Sequence, residues 1–340
     1  MKNKNLSTPK KNFSKRLLCI IIAFSIAIFV GVPLASAKQE GPWNYYISEG
    51  KAYINEYKAS IQGHLDIPET LGGAQVVSIG LDAFIGRHDL TSVTLPQSLT
   101  TLVGGAFQNT GLTSITIPKN VTRIDLRVFT DCLSLTTITV ENENSYYTSI
   151  DGVLFTKDLT ELKQYPSGKT SSIYTIPQEV KLLRYSAFSS NPYLQKVNIS
   201  NTVSTIENLA FIDCLNLTDI TIPPSVTEIG QDAFGAYYDK ESYDWVIIPG
   251  FTIHGYVGTY AESYALSENL SFNVLNQKGD NNHDDIVNAK DALIALQLSV
   301  NKIESTPGLL QVTDVNGDTV VNAKDALEIL KKAVGKPACF

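Results

Sequence analysis

From residue 90 onward the apolar positions of this chain keep a repeating register. One copy runs Leu90, Val93, Leu95, Leu99, Leu102, Phe107; the next runs Leu112, Ile115, Ile117, Val121, Ile124, Phe129. A later copy runs Leu217, Ile220, Ile222, Val226, Ile229, Phe234. Alternation such as Val93-Thr94-Leu95 predicts a short strand with one buried face. Pro96, Pro118 and Pro223 close such strands, because proline cannot donate to a sheet ladder. A second short extended piece follows, then a turn that carries the phenylalanine. Ala-Phe recurs at 83–84, 106–107, 187–188, 210–211 and 233–234, with Val128-Phe129 in the same slot. The steps are 23, 22, 59, 23 and 23 residues, the long one holding an insertion at 144–169. Each copy is too small to bury its own apolar face, so the pattern predicts a stack of copies sharing one core, a β-rich solenoid.

The pattern changes after residue 275. "VNAKDAL" stands at 287–293 and again at 321–327, 34 positions on. The first copy lies in "DNNHDDIVNAKD" (280–291), the second in "DVNGDTVVNAKD" (314–325). Side-chain oxygens fall at loop positions 1, 3, 5, 9 and 12 of both, the calcium-loop spacing of EF-hands. The expected ligands are Asp280, Asn282, Asp284 and Asp291 in the first loop, and Asp314, Asn316, Asp318 and Asp325 in the second. Position 7 donates a backbone carbonyl, so Ile286 and Val320 complete the sets. Asn288 and Asn322, at position 9, are expected to support the direct ligands from behind or to act through water. Position 6 usually needs glycine; here it is Asp285 and Thr319, and a β-branched residue at positive φ is strained. An amphipathic segment follows each loop, with Leu293/Leu296 and Leu327/Leu330 at helical spacing on one face. No comparable helix is expected before either loop. The tail therefore reads as a small all-α unit of two loop–helix half-EF-hands holding two structural Ca2+ ions.

Two family resemblances rest on these residues. "LTSITIPKNVTRIDLRVFTDCLSL" (112–135) and "LTDITIPPSVTEIGQDAF" (217–234) resemble the BspA-like leucine-rich repeat, over about residues 43–272. The insertion resembles a variant repeat of that family, and 251–272 its closing segment. The paired loops and helices at 279–336 resemble a type I dockerin module. That resemblance implies a partner, the cohesin domain of a scaffold protein, and an assembly of the cellulosome kind concerned with polysaccharide catabolism. It also implies that loop positions 10 and 11 and the following helix touch the cohesin: Ala289, Lys290, Leu296 and Gln297 in one half, Ala323, Lys324, Leu330 and Lys331 in the other. Near-identical halves give an internal two-fold, so that either half can face the partner.

Composition adds a setting. Residues 1–37 combine six Lys/Arg, an apolar run from Leu17 and an "ASA" at 35–37, the parts of a cleaved secretory signal peptide. Removal leaves 21 basic against 34 acidic residues, a net charge of −13, which disfavours nucleic acid and suits calcium. Cys132 and Cys214 occupy equivalent turns several copies apart, on the order of 15 Å at strand spacing, too far for a disulfide; both read as small buried fillers. The sequence gives Cys339 no role. No G-x-S-x-G, H-E-x-x-H or Walker loop is present. Outward strand positions form rows of small polar groups (Ser92/Thr94, Ser114/Thr116, Thr137/Thr139, Asp219/Thr221), and Tyr146, Tyr147, Tyr165 and Trp245 could line a site or cap the core. The expected organisation is a signal peptide (1–37), a solenoid (38–275) and a dockerin (279–336) in a secreted, extracellular, non-catalytic protein. It docks through its tail while the solenoid binds a protein or carbohydrate surface. The alternatives are a dockerin-borne polysaccharide hydrolase acting on O-glycosyl bonds and a cell-surface adhesin.

Overall fold

A computed structural model describes residues 37–338, apart from 240, 276, 277, 283, 285 and 306. The predicted leader, to residue 36, and Cys339 lie outside the described residues. The repeats wind into a solenoid with two strand-bearing faces. On one face, Ala74–Ile79, Thr101–Leu102 and Arg123–Ile124 pair in parallel, one strand per coil. Leu182–Leu183, Thr205–Ile206 and Glu228–Ile229 continue this arrangement farther along. The other face is built from the "SITI"-type strands and is interrupted. Gly63–Asp66 pairs with Leu90–Thr94, Ser114–Ile117 with Thr137–Val140, and Ile173–Thr175 with Lys196–Asn198. Asp219–Thr221 pairs with Thr252–Gly255, which pairs with Ser271–Val274.

On the first face, each of the two parallel stacks starts from an antiparallel meander. Trp43–Ser48 and Lys51–Tyr57 form the first; Tyr147–Ile150, Val153–Thr156 and Glu161–Gln164 form the second. The second is the insertion. It resets the stack and divides the interior into two apolar clusters, one from Trp43 to Leu154 and one from Val153 to Ala265.

The register phenylalanines pile up along the axis. Phe84, Phe107 and Phe129 stack at 5.2 and 6.2 Å; Phe188, Phe211 and Phe234 at 4.4 and 4.8 Å, all nearly parallel. The 59-residue step conceals a further member. Tyr165 stacks on Phe188 at 5.2 Å, and its N–H donates to the Ala187 carbonyl just as that of Phe188 donates to Ala210. Gln164-Tyr165 thus fills the Ala-Phe slot. Edge-on rings close the ends: Trp43 meets Phe84 at 78°, and Tyr264 meets Phe234 at 80°. Tyr264 belongs to helix α1 (Tyr260–Ser267), which with Ala261 and Ala265 covers the last coil. The turn around each phenylalanine takes left-handed residues two before and two after the ring, as at Asp82 and Gly86, Arg127 and Asp131, or Leu209 and Asp213. Gly, Asp, Asn and Ser dominate these positions because they tolerate positive φ.

Both middle cysteines are buried and free. They do more than fill space: Cys132 Sγ donates to the Phe107 carbonyl and Cys214 Sγ to that of Phe188, each at 3.0 Å. Burial pushes the Cys132 thiol up and the Cys214 thiol up to about 12.

Candidate calcium loops and partner face

The tail holds three helices: α2 (Ala289–Ser299), α3 (Pro307–Thr313) and α4 (Ala323–Ala333). Helix α3 corrects the sequence reading, because it enters the second loop. Its single Leu-Leu pair is too short for a periodicity signal, but a proline at the first position suits a helix start. α2 and α4 pack together through Ala292, Ala295, Ala326 and Ile329, with Val315 from the second loop and Val287 from the first.

Capping places the twelfth loop residue. Asn288 Oδ1 accepts from Lys290 N–H, while Asp291 Oδ2 accepts from Asn288 N–H. Asn322, Lys324 and Asp325 repeat this capping box. Each asparagine also donates from Nδ2 to the position-7 carbonyl, Ile286 or Val320, at 2.8 and 3.0 Å. The Asn288 and Asn322 oxygens are therefore engaged as helix caps.

In the first loop, carboxylate oxygens of Asp280, Asp284 and Asp291 lie within 4.8 Å of one another, with Asp280 and Asp291 fully buried. Asp280 Oδ1 accepts from Asp284 N–H, and Asp291 Oδ1 from the N–H groups of Asn281 and Asn282. Asn282 Oδ1 accepts from Asp284 N–H, and Asp284 Oδ1 from Ile286 N–H. In the second loop, Asp314 accepts from Gly317, Asp318 and Thr319, and Asn316 Oδ1 from Asp318. Asp318 Oδ1 accepts from Val320, and Asp325 Oδ1 from Asn316 at a longer 3.4 Å. The structure thus brings together three of the first loop's predicted carboxylates; those of the second form no such cluster among the described residues. Thr319 stands at φ 69°, the strained conformation that position 6 demands. Asp285 and His283 lie outside the described residues. Clustered carboxylates buried this deeply repel one another without a counter-cation, and an all-oxygen donor set suits the hard Ca2+ ion.

Asn281 and Thr313 escaped the sequence reading. Asn281 Nδ2 donates to the Asp291 carbonyl, and Thr313 Oγ1, fully buried, donates to Asn281 Oδ1 at 2.8 Å. This pair ties α3 to the first loop. In the second loop Val315 replaces Asn281, so nothing in the repeat marks the tie beforehand.

Opposite the α2–α4 core, Leu293, Leu296, Leu327 and Leu330 are exposed, by 54, 46, 53 and 41 %. The face that the i, i+3 leucines share points outward on both helices. Ala289, Lys290, Ala323 and Lys324 are exposed at the start of the same helices. Gln297 is half-buried, and Lys331 pairs with Glu328 at 2.6 Å.

On the solenoid, Ser92 Oγ lies 2.8 Å from His64 Nδ1 and Asp66 Oδ1 lies 2.9 Å from His64 Nε2. The hydrogen bond from His64 holds the Asp66 carboxyl below its usual range. The trio sits on an open strand face, with Asp66 78 % exposed, and lacks the enclosed setting that nucleophilic chemistry uses. Of the aromatics, Tyr147 and Tyr165 are core, Tyr146 is exposed, and Trp245 packs edge-on to Tyr238. Among the described residues no helix is long and apolar enough to cross a membrane.

Comparison with known proteins agrees with these two parts. The family model for the BspA type leucine rich repeat region matches residues 63–173 and 146–240, in six copies. That for the dockerin type I domain matches 278–334. Both are non-catalytic domain types. No curated protein matches. Solved structures similar to this chain include a leucine-rich repeat protein from Eubacterium ventriosum, 22% identical, covering 64% of this chain and 71% of that one, with a TM-score of 0.42. Another is a leucine rich cell surface protein from Faecalibacterium prausnitzii, 20% identical, covering 73% and 97%, with a TM-score of 0.43. A third is the pneumococcal vaccine antigen PcpA, 18% identical, covering 72% and 99%, with a TM-score of 0.35.

Proposed function

Because the chain belongs to the BspA-type leucine-rich repeat family and carries a type I dockerin domain, we propose that it is a secreted, non-catalytic binding protein of a cellulosome-like assembly. Its tail, residues 279–336, docks onto a cohesin of a scaffold protein. Its solenoid, residues 38–275, holds a protein or carbohydrate ligand, and residues 1–37 are the export signal. The observation that carries this reading is the doubled loop–helix unit with its outward leucine pairs. An isolated domain of this size has no reason to leave four leucines in water at matching positions of two helices. The proposed contacts are those leucines with Ala289, Lys290, Gln297, Ala323, Lys324 and Lys331.

Calcium is structural in this reading. Asp280, Asn282, Asp284, Asp291 and the Ile286 carbonyl hold one ion. Asp314, Asn316, Asp318, Asp325 and the Val320 carbonyl hold the other, and Asn288 and Asn322 orient the position-7 carbonyls. The ion neutralises carboxylates that otherwise repel, so binding stabilises the folded loops.

The test uses the whole chain. Immobilised cohesin captures it in calcium and releases it in EDTA. Asp280→Ala combined with Asp314→Ala abolishes capture. In EDTA, amide exchange rises throughout the tail while the solenoid amides stay protected. Capture that persists in EDTA, or a tail equally protected without metal, sinks the proposal.

A further inference from the structure

The interrupted strand face of the solenoid contains a cleft. Lys196–Asn198 and Asp219–Thr221 belong to adjacent coils, 23 residues apart in register, yet they do not pair. No backbone hydrogen bond joins them among the described residues. Each instead pairs away from the gap, the first with Ile173–Thr175 and the second with Thr252–Gly255. The gap opens into a cavity of about 240 Å³ lined by Lys196, Asn198, Asp219, Thr221, Pro223 and Tyr256. The interruption between Leu90–Thr94 and Ser114–Ile117, by contrast, is bridged by Thr113 N–H donating to the Thr91 carbonyl, and the one between Thr137–Val140 and Ile173–Thr175 is where the insertion enters.

We propose that this cleft binds a segment of a neutral polysaccharide. The inference rests on the reading of the solenoid as a ligand-binding module and names its site and ligand class. Three observations select the class. First, the gap is too narrow for a peptide strand. An inserted strand would hold its neighbours about 9–10 Å apart, twice the strand spacing, whereas Cα atoms on these two strands approach within 8 Å. Second, the lining carries both charge signs at equivalent register positions, Lys196 on one strand and Asp219 on the other. The charges cancel, so an anionic polymer gains nothing. Third, donors and acceptors surround an apolar wall. Lys196, Asn198, Asp219 and Thr221 are exposed along the strands; Pro223 and the Tyr256 ring are buried at their end. A sugar ring presents the same combination, hydroxyls at its edge and C–H groups on its face, and sites of this composition orient ligands through a few polar groups. Asn198 Nδ2 is already held by Thr175 Oγ1 at 2.9 Å, which aims the amide along the outward row.

The experiment is affinity electrophoresis of the whole chain in calcium, through gels containing barley β-glucan, arabinoxylan or polygalacturonate. At least one neutral polymer retards the protein. Asp219→Asn and Thr221→Val each weaken retardation at least tenfold, and Thr116→Val, on the paired part of the same face, leaves it unchanged. The substitutions are isosteric and exposed, and circular dichroism verifies that the variants remain folded. Retardation by polygalacturonate alone, by no polymer, or equally by wild type and cleft variants overturns the proposal. Cohesin capture by the same samples reads the docking function separately: intact capture without retardation rejects the cleft and spares the dockerin. Retardation without capture does the reverse.

Discussion

Tyr165 shows how much one atom decides in a stack of near-identical coils. Its ring takes the place of phenylalanine, but its hydroxyl is buried with no hydrogen-bond partner, and burial pushes its pKa up to about 12. An unsatisfied buried hydroxyl costs on the order of 1–3 kcal/mol. Tyr165→Phe is therefore expected to stabilise the solenoid by about 1 kcal/mol, raising the denaturant midpoint with an unchanged slope; a lower midpoint would show that an unseen partner matters. Thr319 is a second strained residue. At φ 69° it keeps its N–H on Asp314 Oδ2, a bond that glycine would preserve. Relief of about 1 kcal/mol is a factor of roughly five. Calorimetry should find second-loop calcium affinity higher by that factor in Thr319→Gly, and equal or weaker binding would refute the strain. Cys214 gives a pH dependence. Burial raises its folded pKa, so its stabilisation is complete below the ordinary thiol pKa, about 8.5, and is lost as pH rises toward about 12. Each unit in that window removes roughly 1.4 kcal/mol. The melting temperature should fall between pH 9 and 11, and fall less in Cys214→Ser, whose hydroxyl can still donate to the Phe188 carbonyl. Parallel curves would rule the thiol out.

The elements were unequally legible from sequence. The coils were plain because each repeats the same register, and repetition averages out local exceptions. The insertion was legible as an interruption but not as a meander. Its strands Tyr147–Ile150 and Val153–Thr156 pair antiparallel, as the N-terminal strands do, and only pairing shows that likeness. Tyr165 was hidden because its neighbour is Gln164, not alanine. In the tail, the loops were legible from oxygen spacing and the capping boxes follow from it. Helix α3 was not, since seven residues with only Leu309, Leu310 and Val312 apolar are too short to carry a period. The leucine spacing predicted a shared face, but spacing alone does not say whether that face is buried. Packing settles it: small residues Ala292, Ala295 and Ala326 let α2 and α4 approach closely, and the leucines remain outside. The Asn281–Thr313 tie joins elements 32 residues apart and has no sequence signature.

At the scale of the molecule, the proposed docking gives the doubling a consequence for assembly. Leu293/Leu296 and Leu327/Leu330 are equivalent positions of two helices, as are Ala289-Lys290 and Ala323-Lys324. If either face docks the same cohesin, losing one face of two equal ones only halves the association constant, whereas losing both removes binding. Leu293→Ser with Leu296→Ser should therefore weaken capture about twofold, about 0.4 kcal/mol. The corresponding pair on α4 should do the same, and the fourfold variant should lose at least a hundredfold. The two faces are not identical in chemistry. Glu328 and Lys331 form a half-buried ion pair on α4 where α2 carries Ile294 and Gln297, and salt screens it through its more open Lys331 end. Raising the salt should thus shift the balance between the faces without abolishing either. A hundredfold loss from one double substitution, with none from the other, would mean that a single face docks and the second copy serves only to complete the fold.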